Sequence, residues 1–112
     1  MSQPKPSSTK SLASSLTVNT ARLTGTVVSL SVLRYTPAGV AVVNLELDHQ
    51  SQVDLIDSVR QLSFTVEAVA LGDAALAVNE LSLGNHHEFE GFWAPAHHRT
   101  KRIGFHVLRV LV

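Results

Sequence analysis

The chain has 112 residues, a length that suits one compact domain and is too short for two ordinary ones. A hydrophobic fraction of 45%, a charged fraction of 16% and an aromatic fraction of only 5% describe a folded protein whose core must come from Val, Leu and Ala. Nine bases and nine acids cancel, and the absence of cysteine excludes disulfides and thiolate chemistry.

The first stretch, residues 1–18, is rich in Ser and Thr, carries Lys5 and Lys10, and lacks both periodicity and the apolar run of a signal peptide. A disordered tail followed by one domain over residues 19–112 is expected. Lys5 and Lys10 would give the tail at most a weak electrostatic grip. No stretch reaches membrane-spanning length, so a soluble, cytoplasmic protein is expected.

Residues 21–34, ARLTGTVVSLSVLR, read as a strand whose alternation changes phase. Leu23 and Val27 share one parity and Val28, Leu30 and Val32 the other, so a bulge or bend near Gly25 is predicted. The turn TPAG at residues 36–39 leads into a second strand over residues 40–49, where Val43, Leu45 and Leu47 alternate with Asn44, Glu46 and Asp48. Residues 50–58 are polar and read as an exposed loop. A third strand over residues 59–71 places Leu62, Phe64, Val66, Ala68 and Ala70 on its inner parity. Asp73 then caps a short helix through Val78.

His87, Phe89, Gly91 and Trp93 alternate with Glu88 and Glu90 in a fourth strand. A fifth, residues 103–112, is apolar on both parities and so is buried on both sides or used in an interface. The order β-β-β-α-β-β is that of the OB-fold, an all-β five-stranded Greek-key barrel with one short helix.

Charge is sorted along this plan. Residues 1–45 hold four bases and no acid, residues 46–90 hold nine acids against Arg60 alone, and residues 91–112 hold four bases, giving +4, −8 and +4. The cationic end includes the loop APAHHRTKR at residues 94–102. On the barrel plan this loop and the one carrying Arg34 and Tyr35 flank the ligand-binding face. Arg34, Arg99, Lys101 and Arg102 are candidate phosphate contacts, with His97 and His98 as polar or stacking groups beside them. Tyr35 and one of the pair Phe92 and Trp93 are candidate stacking platforms; parity favours Phe92 as the exposed member and sends Trp93 to the barrel end.

Chemistry of other kinds finds no support. The pairs His86-His87 and His97-His98 are adjacent, so on a strand their members point to opposite faces, and neither a metal site nor a cofactor is expected. Glu88 and Glu90 lie on one solvated strand face, and no phosphate loop or nucleophile motif occurs. The chain is therefore expected not to be an enzyme.

Four segments carry a family resemblance: RLTGTV at residues 22–27, LRYTPAGV at 33–40, LELDHQS at 45–51 and FEGFWA at 89–94. Together they resemble the bacterial primosomal replication protein N (PriB) family. The resemblance implies a homodimeric OB-fold protein that binds single-stranded DNA and assists the PriA helicase and DnaT in replication restart. It also implies that the loop with His97, His98, Arg99, Lys101 and Arg102, together with Arg34, meets the DNA. Gln50 and Ser63 depart from the family pattern, where a base and a Trp can stand. The competing expectation is an OB-fold protein-interaction module with little or no nucleic-acid binding.

Overall fold

A computed structural model describes residues 17–111; all but the last two residues of the expected tail lie outside this range. The elements are β1 (Ala21–Leu30), a two-residue β2 (Arg34–Tyr35), β3 (Ala41–Asp54), β4 (Val59–Leu71), α1 (Asp73–Asn79), β5 (His86–Pro95) and β6 (Ile103–Val110). The strands follow the order β1-β5-β6-β4-β3-β2, and a further β1–β3 pairing closes them into a barrel. All pairings are antiparallel except β4–β6, which matches Ala68, Val69 and Ala70 with Phe105, His106 and Val107. This is the closed five-stranded barrel of the OB-fold, with β2 added as a short edge.

Period-two alternation builds the core. Val27, Val43, Leu47, Phe89 and Phe105 point inward and are fully buried, each from a strand whose next residue faces out. α1 covers one barrel end with Ala75 and Val78. Asp73 does not cap it: the N-cap is Gly72, at φ 64°, and the first turn has no side-chain cap. Asp73 instead begins the helix, where its carboxylate favours the positive end of the helix dipole.

The phase change in β1 is a bulge. Its register against β3 slips between Val27 and Ser29, leaving Val28 as the extra, exposed residue. That lies beyond Gly25, because a bulge needs an unpaired residue and Gly25 is still paired in register with His87.

A second difference is larger. The expected loop over residues 50–58 is mostly strand, since β3 and β4 remain paired up to Asp54 and Val59. Only residues 55–58 turn. Gln50, Ser51 and Gln52 look like loop residues because this part of the hairpin has outrun the barrel, so no core requires apolar side chains of them, although Ser51 stands opposite Leu62.

At the root of that overhang His49 is buried. Its Nδ1–H donates to the Thr24 carbonyl (2.7 Å), its Nε2 accepts from the Ser51 hydroxyl (2.8 Å), and its ring lies 4.8 Å from that of Phe64. Phe64 keeps the inner parity read from the sequence, yet it is 42% exposed. The barrel ends before it. Among the described residues no helix is long and apolar enough to cross a membrane.

Candidate nucleic-acid interface

The TPAG turn presents Arg34 and Tyr35. Gly39, at φ 87°, takes the left-handed conformation the turn needs, and its N–H donates to the Thr36 carbonyl (2.8 Å) while the Thr36 hydroxyl accepts from Val40 (3.1 Å). β2 then pairs Arg34 with Val42 and Tyr35 with Ala41. Arg34 Nη1 donates to Asn44 Oδ1 (2.8 Å), which holds the guanidinium over the outward face of β3. Tyr35 is 61% exposed.

The cationic loop is closed by the Ala96 N–H donating to the Arg102 carbonyl (2.8 Å) and by Arg102 N–H donating to the Thr100 hydroxyl (3.0 Å). His97, His98, Arg99, Lys101 and Arg102 are all exposed. Arg99 Nε donates to His98 Nε2 (3.2 Å), and Arg102 reaches across to Glu67 on β4, 3.2 Å from Oε1. Lys101 and Arg99 make no ion pair among the described residues.

Register places these groups together. Asn44 is opposite Val69 and Glu46 is opposite Glu67, so Asn44 and Glu67 are diagonal neighbours about 7–8 Å apart. Arg34 sits on the first and Arg102 on the second. The row continues from Val69 to His106 and on to Phe92, with Phe92 stacked on His106 (centroids 5.1 Å, planes 21° apart). Arg34, Arg102 and Phe92 thus share one outward face, but Phe92 is half-buried there and less exposed than Trp93, contrary to the expectation from parity, because His106 covers one side of its ring.

Trp93 lies on the other parity, against the edge of Phe105 (5.1 Å) at the barrel end, and is 36% exposed. Its backbone is held by Asn19, whose side chain donates to the Trp93 carbonyl (2.7 Å) and accepts from its N–H (2.9 Å). This amide imitates a strand partner and prolongs the β1–β5 ladder toward the loop.

Three features escaped the sequence reading. Glu67 draws on Arg102, and Glu46 stands directly across from it, so the face carries carboxylates among its cations. The Asn19 clamp has no motif, being a contact across 74 residues. Phe64 is a half-exposed ring, and the length of the hairpin rather than parity decides that. The two departures from the family pattern, Gln50 and Ser63, prove to be one cross-strand pair. Among the described residues no three His, Asp or Glu side chains are grouped to hold a metal ion.

The barrel, with a basic loop at each side of one strand face, defines an OB-fold of the single-strand-binding type. Residues 19–109 match a family model described as "another single-strand binding protein family". The chain is 36% identical to the replication restart protein PriB of Bordetella pertussis over 90 residues, covering 80% of this chain and 84% of that one. It is 30% identical to PriB of Nitrosomonas europaea over 94 residues, 84% of this chain and 87% of that one. The solved structure of PriB from Ralstonia solanacearum superposes with a TM-score of 0.77 at 32% identity, over 85% of this chain and 97% of that one. The single-stranded DNA binding protein of Thermus aquaticus shares the fold, with a TM-score of 0.66 at 22% identity, over 83% of this chain and 48% of that one. The chain belongs to the PriB replication restart family.

Proposed function

We propose that this protein is a non-catalytic single-stranded DNA-binding component of the replication-restart primosome, acting in the cytoplasm as a homodimer and assisting the PriA helicase together with DnaT. In this reading Arg34, Arg99, Lys101 and Arg102 hold phosphates and His97 and His98 add polar contacts. Phe92 and Tyr35 stack on bases, and Trp93 closes the end of the path. The observation that carries it is the convergence of Arg34, from the turn before β3, and Arg102, from the β5–β6 loop, on one sheet face beside Phe92. Stacking on exposed rings beside a basic groove is how sequence-tolerant binding of single strands works.

The grip is modest. Three or four phosphate contacts give a slope of log K on log salt of about −2 to −3, at about 0.7 per contact. Fluorescence anisotropy with labelled oligo-dT at two salt concentrations tests it: the Arg99/Lys101/Arg102→Ala variant should bind weakly and with a flatter slope. Equal binding by the variant would remove the loop from the site.

A second reading, a protein-interaction module, draws on Glu46, Asp48 and Glu67 on the same strands, where carboxylates oppose a polyanion. It predicts no oligo-dT binding even at low salt.

A further inference from the structure

β1 accompanies β3 only as far as Asp48, which pairs with Thr26. β3 and β4 stay paired for six residue pairs more, from His49–Phe64 to Asp54–Val59. At about 3.4 Å per residue the hairpin therefore projects roughly 20 Å past the barrel. His49, braced on Thr24 and packed on Phe64, anchors its root.

The tip is built against local preference. Leu55 and Ser58 exchange backbone hydrogen bonds (2.7 and 3.4 Å), which leaves Ile56 and Asp57 as the central residues of a two-residue turn. Such turns favour Asn-Gly or Asp-Gly, whose residues accept positive φ, and here no non-glycine residue among those described has positive φ. Ile56 is fully exposed, and Val53, Leu55 and Val59 beside it are exposed as well. A β-branched apolar side chain wholly in water at the corner of a turn does nothing for this barrel. Local choices that the fold does not repay mark functional positions.

Charge selects the occupant. Along the overhang from His49 to Phe64 the hairpin carries Asp54 and Asp57 at the turn, with Arg60 one step behind them on β4. Asp54 and Asp57 bracket Leu55 and Ile56. This pattern repels a polyanion and repels a second copy of the same tip; it complements an apolar pocket with a cationic rim. We propose that the hairpin tip, Leu55 and Ile56 bracketed by Asp54 and Asp57, is a docking finger for a protein partner with such a pocket.

The finger is separate from the cationic loop. Glu67, which tethers Arg102, is eight residues from Val59 along β4, about 27 Å. A partner held at the tip leaves Arg34, Arg99 and Lys101 open, so both ligands are carried at once. The proposal rests on the replication-restart reading for its choice of probe.

The test uses the full chain, PriA from the same organism as the probe, and two variants, Leu55→Ser/Ile56→Ser and Asp54→Asn/Asp57→Asn. Titration calorimetry should show the first variant binding PriA at least tenfold more weakly and the second several-fold more weakly. Their oligo-dT affinity, mass in light scattering and melting temperature should stay those of the wild type. Binding of PriA to the wild type should survive saturating oligo-dT. The proposal is overturned by absent PriA binding to the wild type, by undiminished binding to the first variant, or by competition with oligo-dT. A loss of oligo-dT affinity or of dimer mass in the variants would also overturn it, assigning the tip to nucleic acid or to self-association. Absent oligo-dT binding by the wild type would defeat the DNA-binding reading alone, since the calorimetry with PriA is then still decisive.

Discussion

Glu67 and Arg102 set a limit on the proposed DNA grip that a count of charges misses. Their contact is 3.2 Å long, both side chains are more than one-third exposed, and Glu46 stands opposite Glu67 in the next strand. An exposed pair of this kind contributes about 0–1 kcal/mol, so a phosphate can displace it, at that cost. Glu67→Gln should therefore raise oligo-dT affinity by about two- to fivefold, read by anisotropy at low salt; weaker binding would mean that Glu67 positions Arg102 for the phosphate. Phe92 and Trp93 separate in a comparable way. Phe92→Ala should cost about 1–3 kcal/mol of oligo-dT binding with little change in melting temperature. Trp93→Ala, which removes a ring packed on Phe105, should act mainly on melting temperature. The reverse pattern would make Trp93 the stacking ring. Parity gave the two rings opposite faces in the sequence, because Phe92 falls with Glu88 and Glu90, but it made Phe92 the more exposed of the two, which the stacking on His106 reverses. Glu67 was visible only as one more solvated acid, since its partner is in a loop distant along the chain.

Among the elements, the β3–β4 hairpin shows where alternation in a sequence is informative and where it stops. Val43, Leu45 and Leu47 gave β3 its inner face because the barrel lies beneath them. Past His49 the barrel no longer lies beneath, the core no longer enforces alternation, and strand reads as loop. His49 itself was singled out only as part of a family-like motif, and its bonds to Thr24 and Ser51 explain what it does. His49→Ala should leave the part-buried Thr24 carbonyl without its donor and cost about 1–3 kcal/mol, measured by urea unfolding; an unchanged midpoint would show that the hairpin root needs no brace. β5 and β6 meet more closely still. A Cβ on Gly91 would stand 2.1 Å from the His106 carbonyl oxygen, so where the β5–β6 register slips between Glu90 and Gly91 the strands approach as only glycine allows. Gly91→Ala should destabilise by about 1–3 kcal/mol or more and loosen the register that aligns Phe92 with His106.

For the molecule as a whole, the charge segregation in the sequence is only partly a spatial one among the described residues. Arg34, Arg99, Lys101 and Arg102 gather where β2 and the β5–β6 loop meet, with Glu46 and Glu67 among them, and the hairpin tip beyond carries Asp54 and Asp57 beside Arg60. Fields from such regions act within about 8–10 Å at physiological salt, so a neutral total does not prevent a local attraction for phosphate. Two loops per homodimer would strengthen that attraction through bivalency; light scattering at micromolar concentration should give twice the mass of the chain, and the mass of one chain would contradict dimerisation. Most of the barrel was legible because β3, β4 and β5 alternate over it; β6, apolar on both parities, is not buried on both sides, since Ile103 and Leu108 are exposed. That the two loops flank one face followed from the barrel plan; which side chains meet on it, Arg102 with Glu67 and Phe92 with His106, did not, because that depends on the register of four strands. A phosphate-binding face formed by Arg34 and the β5–β6 loop has a direct signature in anisotropy with oligo-dT across a salt series, wild type beside Arg99/Lys101/Arg102→Ala. The wild type should give a log–log slope of about −2 to −3, and the variant weaker binding with a flatter slope; identical slopes and affinities would rule that face out.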